Sequence, residues 1–461
     1  MINRNIINKD INYDGADYAE ICSRINRWKS LLLKKGASKG DVVALAIMTV
    51  NLNHVAAIFA CAELGLKLFL FSRPISRETL HATKMGTFGP MNFSIVEEFL
   101  WEWDYHSEMF EKYGGTIIWQ NEIESIEDEG NVFGDVVRPD DTFLFASTTG
   151  STGKSKPVMF SHEDTFQTVI RNADVFDFEK DSVVAHTMNM HHASALTTHL
   201  LPSLIVCDTH YHCFVRQNNI DGVNTVTPEE FVAMIVDKGI THTIIAYAPV
   251  IDLYVKLLKQ HDTGAMRPLK VNVSGFTMPE KFYKYPKQVP IEFYSHYGSV
   301  DVTVGSPIFL NKVGKDSNYR PKLIGKQIDN FFRPKIVENG LYITSPLWSG
   351  NKEMSDLLDF DGEVYYHMGR TDWTEEYIKW NDEISSWIKE QHGDYTLLAL
   401  EKASFLVLWD AVSEYDFNLR SSPIKKMVDH IVYLKKEHFQ VDTKVDMAQL
   451  GAYLEHHYEK V

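Results

Sequence analysis

The chain has 461 residues, 44% of them apolar and 23% charged, with a formal charge of −16. That length leaves room for two or three domains around a large core, and the acidity excludes a sequence-independent nucleic-acid binder, which needs a basic face. Four cysteines without paired spacing, a polar Met1 to Asp10 and no apolar run near the roughly 20 residues that cross a bilayer point to a reduced cytoplasmic enzyme with no membrane span.

In chain order, Asp17 to Lys35 has apolar residues at helical spacing and stops at Gly36. Val42 to Met48 then reads as a buried strand, Asn53 to Leu64 as a helix closed by Gly65, and Lys67 to Phe71 as a second strand. Strand, helix and strand in so short a span predict a parallel sheet. From about Lys84 to Glu129 the pattern is irregular. Only a strand at Thr116 to Trp119 is predicted there, and the tryptophans read as core.

Asp141 to Ala146 is a buried strand, and Val158 to Phe160 is extended again. Ser161 and Asp164 have capping-box spacing ahead of a helix at His162 to Val175. Alternation continues with strand Val183 to Met188, helix Pro228 to Lys238, strand Thr241 to Ala246, helix Val250 to Gln260, and strands at Lys270 to Val273 and from Ile291. The expected fold class is α/β, with parallel-rich sheets covered on both faces and ligands held beyond the carboxyl ends of the strands. Asp361-Gly362 predicts a hairpin turn. The last stretch, about 90 residues from Trp373, suits a small α+β domain. Its expected strands are Thr396 to Leu400 and Phe405 to Trp409, and its expected helices Pro423 to Lys436 and Met447 to Tyr453.

Ser147 to Val158 reads STTGSTGKSKPV. Its glycines permit close backbone approach, its hydroxyls and amides solvate phosphate oxygens, and its lysines neutralise their charge. A Walker A loop is excluded, because Thr148 stands where its first glycine belongs and no helix follows Gly153-Lys154-Ser155 at once. The string resembles the T-S-G-[ST]-T-G-x-P-K-G loop of the adenylate-forming superfamily: acyl-CoA synthetases, aryl-acid ligases, luciferases and nonribosomal peptide adenylation domains. Thr148, Gly150, Ser151, Thr152, Gly153 and Lys156 follow the pattern and Thr149 takes the place of its serine, while Ser155 and Pro157 depart from it.

Further segments resemble the same superfamily, in its order and over nearly the whole chain. Tyr18-Ala19-Glu20-Ile21 and Gly36 to Val42 resemble its opening. Met190 to Leu196 resembles the acid-pocket motif, which makes His192 a candidate at the carboxylate. No acid occurs in that stretch to hold a substrate ammonium, which disfavours an α-amino acid and favours an aryl or aliphatic one. Gly275 and Phe276 resemble the turn bordering adenine. Tyr297-Gly298-Ser299-Val300-Asp301 resembles Y-G-x-T-E, implying Tyr297 on adenine, Gly298 and Ser299 at the nucleotide and Asp301 on magnesium; Val300 lacks the usual hydroxyl.

Ser355 to Trp373 resembles the G-D-L, D-x-D-G and G-R-x-D series. The resemblance implies Asp356 on both ribose hydroxyls, Arg370 at the ribose or phosphate, and Asp372 at a hinge between a large domain, 1–370, and a small mobile one, 371–461. Ile378 to Asp382 resembles the loop lining a thiol's approach, with Asp382 in place of glycine, and Asp442 to Asp446 the terminal T-G-K-[IV]-D, with Lys444 the catalytic lysine. The implied activity is ATP- and Mg2+-dependent activation of a carboxylic acid as acyl-AMP. Transfer to coenzyme A or a carrier-protein thiol follows, with an amine acceptor or a catalytically degenerate binding protein as alternatives. A zinc site at His210 and His212 would need a second ligand pair, which the chain lacks.

Overall fold

In a computed structural model the chain is described over residues 1–46, 51–70, 91–97, 115–130, 134–147, 157–187, 193–215, 225–245, 248–274, 278–299, 305–337, 340–348, 352–354, 356–370, 394–399, 404–409, 430–434, 438, 440–441, 444–445, 449–450 and 453–454. A short strand β1 (Asn12–Tyr13) precedes helix α1 (Tyr18–Lys34), whose N-cap Asp17 accepts the Glu20 amide at 2.9 Å. Strand β2 (Val42–Ala46), helix α2 (Leu52–Leu64) and strand β3 (Lys67–Leu70) follow. Gly65 ends α2 at φ 67°, the left-handed conformation that glycine adopts without strain.

Strands β4 (Phe93–Val96) and β5 (Thr116–Trp119), then β6 (Thr142–Ser147) and β7 (Pro157–Ser161), complete a six-stranded sheet in the order β5-β4-β2-β3-β6-β7. All its pairings are parallel except β6–β7. β4 lies in the stretch where only β5 was expected; its four residues are all buried, too short a run to identify a strand by periodicity.

Helix α3 (His162–Val175) opens on the expected capping box. Ser161 Oγ accepts the Asp164 amide at 3.0 Å, and Asp164 Oδ2 accepts the Ser161 amide at 3.1 Å. Strand β8 (Val183–His186) leads toward a helical stretch, Ala193–Ala195, a π turn Leu196–Leu200 and a final segment Leu201–Val206, labelled α4 as a unit. Strand β9 (Thr209–His212) follows, then a small parallel pair, β10 (Phe214–Val215) with β11 (Thr225–Val226). Next come α5 (Pro228–Asp237), β12 (His242–Ile244), α6 (Ala248–Leu258), β13 (Leu269–Ser274) and β14 (Ile291–Tyr297).

The region after β14, for which nothing was predicted up to residue 355, adds β15 (Phe309–Val313), β16 (Leu323–Gln327) and an antiparallel set of β17 (Arg333–Val337), β18 (Gly340–Thr344) and β19 (Lys352–Met354). The hairpin β20 (Asp356–Phe360) and β21 (Tyr365–Arg370) closes it. Among the described residues the main sheet has ten strands, ordered β1-β9-β8-β12-β13-β14-β15-β16-β21-β20. It is parallel from β1 to β14 and antiparallel beyond. One core cluster takes in Val43 and Leu45 of the first sheet, Phe59 of α2, Val169 of α3, Leu196 and Leu204 of α4, and Ile244 of the second sheet, so both sheets bury against shared helices.

Near the C-terminus, two strands lie where they were expected, β22 (Asp394–Ala399) and β23 (Ser404–Trp409), and they pair antiparallel. The predicted helix over 423–436 is corrected in part: His430–Leu434 is a strand, β24, parallel to β23. Its Ile-Val-Tyr core suits a pleated surface, and its sheet partner outweighs the helical spacing. Gln449, Leu450 and Tyr453 are helical, within the stretch predicted as the last helix, and so is Leu454 just beyond it. Short strands β25 (Gln440–Val441) and β26 (Lys444–Val445) pair antiparallel.

Candidate active site

β14 is the last parallel strand of the main sheet, and its carboxyl end is Tyr297, followed by the exposed Gly298 and the half-buried Ser299. The next strand runs the other way and sets Phe309 opposite Tyr297, their ring centroids 5.8 Å apart. Phe309 in turn lies 4.3 Å from the Tyr365 ring, and Tyr365 stacks on Phe360 at 4.5 Å. This aromatic row carries the packing from β14 to the β20–β21 hairpin.

The hairpin turns at Asp361-Gly362, as predicted. Asp361 Oδ1 accepts the amides of Glu363 and Val364, each at 2.9 Å, and Tyr366 Oη donates to Oδ2 at 2.7 Å. These bonds, the Val364 amide foremost, hold the Asp361 carboxyl down to about 2. At the hairpin's open end Asp356 and Arg370 are register partners. The His367 Nε2–H donates to Asp356 Oδ1 at 3.0 Å, and the His367 ring centroid is 6.2 Å from that of Tyr297. Tyr297 and Asp356, separated by 59 positions in the chain, therefore meet through His367, with the Arg370 backbone opposite. His367 was not read from the sequence. No residue-type pattern marks it, because its place depends on the strand register.

The other candidates are less completely described. Ser147 and Pro157 are register partners, so the threonine-rich segment leaves and rejoins the sheet at one point. Thr148, Thr149, Gly150, Ser151, Thr152, Gly153 and Lys156 lie outside the described residues, as do His192, Gly275, Phe276, Asp301, Asp372 and Asp382. The residues flanking some of them are placed. Ser274, before Gly275, is the register partner of His296 on β14. Gly305, at φ 76°, packs so closely on Ser194 that a Cβ there would lie 2.7 Å from the Ser194 Cα, which sets Gly305 against the start of α4. Lys444 begins β26 opposite Val441.

His210 and His212 do not form a metal pair. His210 is buried and stacked on Tyr13 and His186, whereas His212 Nδ1 lies 3.3 Å from Asp14 Oδ2. Among the described residues no group of three or more histidine, cysteine or acidic side chains could hold a metal ion. A separate cleft of about 680 Å³ between α3 and β15–β16 contains none of the candidates. Of its cations, Arg171 is engaged by Asp329 at 2.6 Å, Lys326 by Glu363 at 2.7 Å, Lys312 by Asp177 at 2.7 Å and Arg320 by Asp361 at 3.5 Å.

A mixed sheet that sets an aromatic ring at the end of its last parallel strand beside a carboxylate and an arginine position on an adjoining antiparallel hairpin has the form of a nucleotide-using α/β enzyme. The chain belongs to the AMP-binding enzymes: the profile of that family matches residues 106–343. A sequence comparison with curated proteins returned no match.

Among solved structures, the chain is similar to ATP-bound MatB from Rhodopseudomonas palustris, with 15% identity, 96% of this chain and 95% of that one covered, and a TM-score of 0.69. It is also similar to the O-succinylbenzoate coenzyme A synthetase MenE of Bacillus subtilis in complex with ATP and magnesium (15% identity, 92% and 93% covered, TM-score 0.70). A third is McyG A-PCP with phenylalanyl-adenylate (14% identity, 97% and 92% covered, TM-score 0.73). Among the described residues no helix is long and apolar enough to cross a membrane.

Proposed function

We propose that the protein activates an aryl or aliphatic carboxylic acid as its acyl-AMP, releasing pyrophosphate, and then passes the acyl group to a thiol, either coenzyme A or a carrier-protein pantetheine. The observation that carries this reading is the meeting of Tyr297 and Asp356 at the end of the parallel sheet. A half-buried aromatic ring suits an adenine face, and a carboxylate beside it suits a ribose diol. The absence of any acid from Met190 to Leu196 supports an acid without an α-ammonium. Neighbours of the same fold include a structure of the anthranilate CoA ligase AuaEII with anthranoyl-AMP, consistent with an aryl acid.

In this reading the adenine stacks on Tyr297 and is bordered by Gly275 and Phe276. Asp356 and Arg370 hold the ribose, with Gly298 and Ser299 beside the nucleotide. The segment 148–156, chiefly its hydroxyls and Lys156, holds the β and γ phosphates. His192 lines the acid's carboxylate. The hard carboxylate oxygens of Asp301 fit magnesium, which would neutralise phosphate charge when bound. Lys444 bridges the attacking carboxylate and the α-phosphate. Catalysis is then positioning and charge stabilisation: the acid's oxygen forms a bond to the α-phosphorus, and the bond to pyrophosphate breaks. Residues 1–370 form the large domain and 371–461 a small one that turns near Asp372 to admit the thiol.

Single-turnover reactions with ATP and a panel of aryl and aliphatic acids, with and without coenzyme A, test the acceptor. Acyl-AMP that persists until coenzyme A is added supports the thiol ligase, whereas acyl-AMP consumed only by amines contradicts it. Lys444→Ala is expected to lower acid-dependent pyrophosphate release by a factor on the order of 100 or more while ATP binding stays within about twofold. Unchanged release removes Lys444 from the chemistry.

A further inference from the structure

The β20–β21 ladder is irregular beside the candidate ribose carboxylate. Asp356 pairs with Arg370 and Leu357 with Gly369, but Leu358 pairs with His367, so Met368 is an extra residue on β21. In an unbroken ladder His367 would face Asp359, and because side chains alternate along a strand it would point away from Asp356. The bulge shifts the register by one residue. His367 then stands opposite Leu358, two positions from Asp356 and on the same face, and its Nε2–H reaches Asp356 Oδ1 at 3.0 Å. The two side chains are 25% and 16% exposed, so water competes only in part for this bond. The Tyr297 ring flanks the imidazole, with centroids 6.2 Å apart.

We propose that His367 is a positioning residue that fixes the Asp356 carboxylate in the orientation that accepts the ribose hydroxyls of ATP. The inference rests on the ribose role given to Asp356 above. One carboxylate oxygen tied to a ring between Tyr297 and β20 sets the plane in which the carboxylate meets its ligand, as outer-shell partners orient ligating groups elsewhere. The signature is a loss of selectivity for the ribose hydroxyls, which a general loosening of the fold would not produce.

The test is the binding of ATP and 2′-deoxy-ATP to the full chain by calorimetry, for the parent, His367→Phe, His367→Gln and Asp356→Ala. The Phe variant keeps ring bulk but loses the donor. It is expected to bind ATP about tenfold more weakly and to lose most of the parent's preference for ATP over 2′-deoxy-ATP. The Gln variant, whose amide can reach the same oxygen, is expected to restore both. A Phe variant with the parent's preference, when Asp356→Ala has lost it, overturns the positioning role alone. Preference retained in Asp356→Ala overturns the ribose assignment and this inference together. If His367→Phe does not fold, His367→Asn replaces it: the shorter amide should lose the preference that Gln keeps, and equal retention in both overturns the proposal.

Discussion

Glu63 on α2 is clasped by two cations. Arg4 donates from Nε to Oε1 and from Nη2 to Oε2, each at 2.7 Å, and Lys29, only 4% exposed, reaches Oε2 at 3.0 Å. Burial alone would raise the Glu63 carboxyl, but Arg4 and Lys29 together hold it below its usual value. Glu63→Gln leaves both cations partly buried without a counter-charge. It is expected to cost about 3 kcal/mol, read as a lower midpoint in urea unfolding; a loss below about 1 kcal/mol would show that water takes over the cations. Residues of this kind are only partly legible in a sequence. Asp356 could be singled out because its neighbours keep a motif, whereas Glu63 and His367 act through partners 59 and 11 positions away that no spacing rule selects.

At the scale of elements, local chemistry sets several boundaries. Ser161 and Asp164 satisfy each other's amides at the start of α3. Ser161→Ala is expected to lower stability by about 1 kcal/mol, measured by the same unfolding midpoint, with the secondary structure unchanged. Caps and glycine stops made α1, α2 and α3 readable from the sequence, because each is decided within a few residues. The strands β4, β15 and β16, and β24 where a helix was expected, were not. Their states depend on neighbours far along the chain, as where Leu406 pairs with Ile431 and Phe309 with Gln327. The site follows the same division: the strand ends bearing Tyr297 and Asp356 were placed by motif, but the bulge that turns His367 toward Asp356 is a property of paired strands.

Across the molecule, a set of buried histidines lies beside the parallel strands. Nε2 of His210 donates to the Cys207 carbonyl at 3.1 Å, leaving its Nδ1 to accept from His186 Nε2 at 3.1 Å. Burial is the leading cause that pushes His199 and His242 down to about 3 and His162 and His210 down to about 4, and it holds His186 well below its usual range. Unfolded histidines titrate near 6.5, so at lower pH the unfolded chain binds more protons than the folded one. Their stabilising effect is complete above about pH 6.5 and is lost as pH falls toward 4 and then 3. The unfolding midpoint is therefore expected to decline steadily between pH 7 and pH 5, and a flat midpoint over that interval would contradict the buried neutral assignment.

Under the function proposed above, the family's fold and the gathered Tyr297, His367 and Asp356 would serve one end, the attack of an organic acid on the α-phosphate of ATP. The most direct measurement is exchange of labelled pyrophosphate into ATP by the full chain across a panel of aryl and aliphatic acids, with AMP and ADP quantified alongside. The account predicts exchange that requires one class of acid, is lost in Asp356→Ala, and is accompanied by AMP. Formation of ADP, or exchange indifferent to every acid tested, would contradict it.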